Sequence, residues 1–186
     1  MKKHILAALA VLAFSGAASA QVYGTASVGV SRSSFDCLGA PSCDKSDTAF
    51  KVMGGYKFMP NLAAEIGYFD FGKQTLSGGG ASLEYKNNGF GLGVAYHQDI
   101  GSDWNFVARL GAAQIKTKLT GSIGGLSASD SDKNTTFYGG LGVGYRVTPQ
   151  MSIDGAWDVS RGKYDKNGIN ERGDLNALSV GVTYRF

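Results

Sequence analysis

Four charged residues stand where small and apolar side chains otherwise alternate: Lys51, Glu65, Arg109 and Asp154. Each falls on the small-residue side of its alternating stretch, so the four are candidates to meet in one narrow interior. Charges confined in that way must be paired, because an isolated buried charge costs far more than a paired one. Their chemistry is then an ion-pair cluster, read first as a static plug and alternatively as a gate.

Other reactive residue types give weaker patterns. Cys37 and Cys43 flank Leu38-Gly39-Ala40-Pro41-Ser42 and are the only cysteines. In an oxidising compartment they are expected to pair as a disulfide closing a small ring, worth about 2 kcal/mol by chain-entropy reasoning. Two cysteines with no nearby histidine do not complete a zinc shell. His97 has no serine or acidic partner that the sequence places beside it, so it is read as an interfacial or solvated histidine and no catalytic residue is assigned. Gly78-Gly79-Gly80 and Gly124-Gly125 lack the strand, lysine and helix context of a phosphate loop and are read as flexible loop. No metal or cofactor is expected.

The elements that must position these residues begin after residue 20. Lys2 and Lys3, the apolar run Ile5 to Phe14 and Ala18-Ser19-Ala20 have the layout of a secretory signal peptide, expected to be cleaved after Ala20. The apolar run is too short to span a bilayer, which takes roughly 20 residues as a helix. Residues 21–186 are read as one domain. Without Lys2 and Lys3, sixteen basic residues face fifteen acidic ones, so charge gives no reason to expect a nucleic-acid partner.

Glycine supplies 28 of 186 residues and proline only three, a profile of sheet rather than helix. Period-two alternation recurs in eight segments, near 22–31, 48–58, 62–71, 83–97, 104–116, 135–146, 151–160 and 176–186. Short links at 59–61, 98–103 and 147–150 alternate with long ones near 32–47, 72–82, 117–134 and 161–175. That length, rhythm and asymmetry predict an all-β, eight-stranded antiparallel up-and-down transmembrane β-barrel, with short turns toward the periplasm and four long loops outside, of which 117–134 and 161–174 have the composition of mobile exposed chain.

One face of each segment is apolar, as in Phe90, Leu92, Val94 and Tyr96 or Phe137, Leu141, Val143 and Tyr145, and this face is expected to meet lipid. A soluble ligand-binding barrel would point its apolar side chains inward instead. Closure into a ring follows from the need to hydrogen-bond every spanning backbone group. Tyr56, Phe58, Tyr96, Trp104, Tyr145, Tyr184 and Phe186 collect beside the short turns as an expected aromatic girdle. Alternation breaks at Phe69-Asp70-Phe71, where either a bulge or the outer water boundary would place a polar residue on the lipid side.

Gly54-Gly55-Tyr56, Pro60, Glu65, Gly67-Tyr68 and Gly72-Lys73, with their spacing, resemble the OmpA-like transmembrane barrel family. Val22-Tyr23, Val28-Gly29, Arg109-Leu110-Gly111, Gly144-Tyr145 and Thr148-Pro149 are further echoes. The ending Ser179 to Phe186, with Gly181, Tyr184 and Phe186 in place, resembles the signal read by the bacterial barrel-assembly machinery. The resemblance implies a lumen charge cluster viewed as a gate in the family. Gly144 and Asp154 depart from the family's charge pattern there, so gating does not carry over intact. The family's peptidoglycan-binding domain is not expected.

These readings predict a monomeric, non-enzymatic protein of the cell outer membrane, with a structural role and loops for cell-surface or host contact. Its expected partners are outer-membrane lipid and lipopolysaccharide, the assembly machinery, and a surface ligand held by the loops. A narrow channel for ions or small solutes is the alternative, and an envelope lipid-modifying enzyme a weaker one.

Overall fold

The computed structural model describes residues 21–34, 42–166 and 169–186, with backbone alone described at 164–166 and 169–171. The expected signal peptide and Cys37 of the expected disulfide lie outside them. Cys43 lies within, and among the described residues there is no free cysteine.

Among the described residues nine strands follow in chain order: β1 (Val22–Ser33), β2 (Ser42–Asp44), β3 (Ser46–Lys57), β4 (Leu62–Gly78), β5 (Ala81–Ile100), β6 (Trp104–Ile123), β7 (Leu126–Arg146), β8 (Met151–Lys166) and β9 (Ile169–Arg185). Eight of them form a ring of antiparallel neighbours, β1-β3-β4-β5-β6-β7-β8-β9, which closes where β9 pairs with β1. The result is the eight-stranded up-and-down barrel that the alternation predicts. Closure leaves no unpaired strand edge within the wall, as a lipid environment demands. The ninth strand, β2, is a short addition in the first outer connection, where Ser42–Asp44 pair with Ser77, Leu76 and Thr75 of β4.

The wall is inverted relative to a soluble protein. Ile66, Phe90 and Leu110 are 61–66% exposed, whereas Lys51, Glu65 and Asp158 are 5% exposed or less. Apolar side chains facing outward and charged ones facing inward are stable only with hydrocarbon around the ring. Tyr56, Phe58, Tyr96, Trp104 and Tyr145 are all exposed on the turn side, and Trp104 and Tyr145 pair in register with rings 5.1 Å apart.

The outer ends correct the sequence reading. Segments expected as long loops at 72–82, 117–134 and 161–175 continue as hydrogen-bonded ladders, reaching Gly78↔Ala81, Ile123↔Leu126 and Lys166↔Ile169. Once both faces meet water the apolar alternation fades, but the backbone pairing persists. The glycines expected to be loose are the turns that close two of these hairpins. Gly79 and Gly80 have φ of 60° and 79°, and Gly124 and Gly125 have 57° and 85°. Positive φ at both central residues is the type I′ hairpin turn, whose twist matches that of the strands it joins.

The break at Phe69-Asp70-Phe71 is a bulge. Asp70 pairs with Asn88 and Lys73 with Lys86, so two residues of β4 stand opposite one of β5, and Gly72 supplies the positive φ of 69°. The extra residue inverts parity. Below it Glu65, Phe69 and Phe71 face inward, and beyond it Gln74 and Leu76 do.

Candidate functional site in the barrel interior

Glu65, Arg109 and Asp158 are each set between small ladder partners, which is how so narrow a ring accommodates them. Glu65 lies between Gly55 and Gly93, Arg109 between Ala95 and Gly140, and Asp158 between Gly140 and Ala177. The glycines are occupied space rather than slack. A Cβ on Gly55 would come within 2.5 Å of the Tyr23 ring, one on Gly91 within 2.7 Å of Phe69, and one on Gly140 within 2.5 Å of Asp158.

Two polar networks fill the middle. Toward the periplasmic turns, Arg109 donates through Nε to Glu65 Oε2 at 2.9 Å and Oε1 at 3.2 Å. The Tyr23 hydroxyl donates to Glu65 Oε1 at 2.6 Å and lies 2.9 Å from His97 Nε2. Farther out, Lys51 forms an ion pair with Asp158, whose Oδ1 also accepts from the Tyr138 hydroxyl at 2.8 Å. The Tyr138 ring packs on Phe69 with centroids 4.5 Å apart, and Phe69 stacks on Phe71 at 6.2 Å, so aromatic side chains fill the interior above the charges.

Of the four residues proposed as one cluster, the structure brings Glu65 to Arg109 and pairs Lys51 elsewhere, with Asp158. Asp154 accepts from Ser152 Oγ at 3.0 Å and forms no salt bridge among the described residues. It lines, with Lys51 and Arg109, a periplasmic-side cavity of about 20 Å³, room for about one water. Asp158 and Tyr138 are not candidates in the sequence, and Tyr23 stands there only as a family echo, not as a partner of the charges. Parity would have placed Asp158 with Asp154, since both are even-numbered on β8, but the partners depend on how the ring closes.

His97 differs from expectation. It is buried inside the barrel end, edge-on to Tyr23 with centroids 5.2 Å apart, rather than solvated. The orientation follows from its odd number on β5, shared with inward Ala95 and Gly93. Among the described residues no group of three histidine, cysteine or acidic side chains could hold a metal ion.

Of the expected assembly-signal residues, Ser179, Gly181 and Tyr184 lie in β9 and Phe186 follows directly after it. Ser179 and Gly181 face inward opposite Gly29 and Ser27 of β1, while Tyr184 and Phe186 project outward with rings 5.1 Å apart.

Comparison with known proteins agrees with this architecture. The family described as outer membrane protein beta-barrel domain matches residues 5–186. Outer membrane protein A of Salmonella typhi is 29% identical over 136 residues, covering 73% of this chain and 39% of that protein. Outer membrane protein P5 of Haemophilus influenzae is 27% identical over 154 residues, covering 74% of this chain and 43% of that protein. The chain thus spans about two fifths of the length of these relatives. Among solved structures, Neisserial surface protein A superposes with a TM-score of 0.63 at 17% identity, covering 89% of this chain and 97% of that one. The attachment invasion locus protein Ail of Yersinia pestis gives 0.56 at 20% identity, covering 89% and 99%. Those structural likenesses speak for the fold. Inverted wall, closed ring and family match together make this chain a member of the outer-membrane β-barrel family, resident in the cell outer membrane.

Proposed function

We propose that the chain is a non-enzymatic structural and surface protein, whose barrel anchors stiff hairpins that contact another cell, a host surface or the envelope. The observation that carries this reading is the continuation of the wall strands into water. β6 and β7 stay paired out to Ile123 and Leu126, which are 71% and 82% exposed around the Gly124-Gly125 turn. A rigid tip presenting apolar side chains can dock with little ordering cost, unlike a floppy loop. The attachment invasion locus protein, named for contact of this kind, has a similar fold.

The interior supports the same reading. Glu65–Arg109 and Lys51–Asp158 are each paired, and aromatic side chains fill the space above them. Conduction would require those contacts to separate. His97 is enclosed against Tyr23 at the periplasmic end, away from any outer-leaflet substrate, which supports a non-enzymatic role.

The test is to delete residues 119–123 and 126–130, leaving Gly124-Gly125 to close the shortened hairpin beyond Lys118 and Ser131. Cells carrying this variant at normal surface levels should lose adhesion relative to cells with the intact protein. Unchanged adhesion and serum survival would refute the contact role.

A further inference from the structure

Just beyond the apolar band, the outward faces of four adjacent strands carry lysines in register. Lys116 of β6 is opposite Lys133 of β7, and the next outward row runs Lys73, Lys86, Lys118 across β4, β5 and β6. Like charges directly opposite one another in a sheet are destabilising. Lys73 is offset by Glu84 at 3.2 Å and Lys86 by Asp70 at 3.5 Å. Lys116, Lys118 and Lys133 carry no salt bridge among the described residues, and Asp130 and Asp132 of β7 stand at the opposite parity, so the outward face keeps a local excess of positive charge, five lysines against Asp70 and Glu84.

Its height can be read from the register. Trp104 and Tyr145 form the girdle pair, and Lys116 and Lys133 form the pair twelve residues farther along both strands. At about 3.3 Å of rise per residue and a tilt of about 40°, that is about 30 Å, against an apolar band about 25 Å tall. The ammonium groups therefore stand at the headgroup layer of the outer leaflet. Their parity puts them on the outward face of the wall, with Gln114 and Thr135 in the next row toward the membrane and Phe90, Leu92 and Phe137 beginning the apolar band around and below that row.

We propose that Lys116, Lys118 and Lys133, flanked by Lys86, form a binding site for the phosphate groups of a phosphorylated glycolipid lying in the outer leaflet. The acyl chains would lie along the apolar wall below while the lysines hold the phosphates through charge-assisted hydrogen bonds. Placement on the outward face of the wall, next to the apolar band, favours a lipid at the wall over a soluble anion. The inference requires the outer-membrane location but not the adhesive role of the hairpin tip, and the deletion described above leaves all these lysines in place.

The test uses residues 21–186 refolded into nanodiscs of zwitterionic phosphatidylcholine containing a minor fraction of diphosphoryl lipid A, with lipid retention read by native mass spectrometry. The unmodified chain should retain diphosphoryl lipid A but not its dephosphorylated form. K116Q/K118Q/K133Q should lower the retained fraction at least about ten-fold, whereas Lys57→Gln at the periplasmic rim should not change it. The heat-dependent gel shift of folded barrels checks folding, and Lys133→Gln alone should give a smaller loss if the triple variant folds poorly. Equal retention by the lysine variants, equal retention of dephosphorylated lipid, or preferential binding of inorganic phosphate or a soluble sulfated glycan at the same lysines would overturn the proposal.

Discussion

Arg109 of β6 grips both carboxylate oxygens of Glu65 of β4, at 2.9 and 3.2 Å, reaching past the intervening strand β5 inside the barrel. Both side chains are almost wholly shielded from solvent, so neither can lose its partner without leaving an uncompensated charge. Arg109→Ala should therefore destabilise the folded barrel by about 3–5 kcal/mol, while a paired Glu65→Leu/Arg109→Met replacement should cost much less. Urea unfolding in lipid vesicles followed by the gel shift measures both. If the pair serves as a gate, Arg109→Ala will also raise conductance in planar bilayers; the plug reading expects traces like those of the unmodified chain.

Tyr138 and Asp158 give a second, smaller effect. The Tyr138 hydroxyl donates to a carboxylate that already pairs with Lys51, while its ring keeps the packing against Phe69. Tyr138→Phe removes the hydrogen bond and little else, so the expected loss is about 1.5–3 kcal/mol, the range for a hydrogen bond to a charged group. Lys51→Met should cost more, because it strands Asp158. The same vesicle unfolding assay ranks the two, and a larger loss for Tyr138→Phe would reverse this ordering.

The outer hairpins should respond locally. Gly124 and Gly125 sit at φ of 57° and 85°, a region that costs an L-residue with a Cβ about 1–2 kcal/mol. Replacing both by valine should unzip the tip from Ile123↔Leu126 downward, visible as faster amide exchange in 117–123 and 126–132. Asn at position 124 should be tolerated, since Asn adopts this conformation readily. Barrel stability should stay near that of the unmodified chain, because the membrane-spanning ladder is untouched.

How much of this was legible in the sequence follows from where side-chain periodicity is enforced. The turn-side strand starts at Val22, Leu62, Trp104 and Met151 could be read because lipid outside and a filled lumen inside impose alternation from the first residue. At the opposite ends both faces meet water, so Thr117–Ile123 and Leu126–Asn134 have no apolar period and read as loops although their backbones pair. Parity placed Glu65 and Arg109 inside. It could not match Lys51 with Asp158, since those strands meet only through the closed ring, nor show that the bulge at Gly72 inverts the faces of β4.

Phe186 separates assembly from stability. Its backbone N–H donates to Val22 O at 3.0 Å and its ring packs edge-on to Tyr184, beyond the last residue of β9. Deleting it removes one hydrogen bond at the rim, worth about 0.5–1.5 kcal/mol, so refolding into detergent or vesicles should stay near normal. If Ser179, Gly181, Tyr184 and Phe186 form the signal read by the assembly machinery, the same deletion should sharply reduce folded protein in the outer membrane of cells and leave unassembled chain in the periplasm. Fractionation with the gel shift as readout decides it: normal membrane levels of the truncated chain would sink the signal, and a matching defect in vesicles would assign the effect to barrel closure instead.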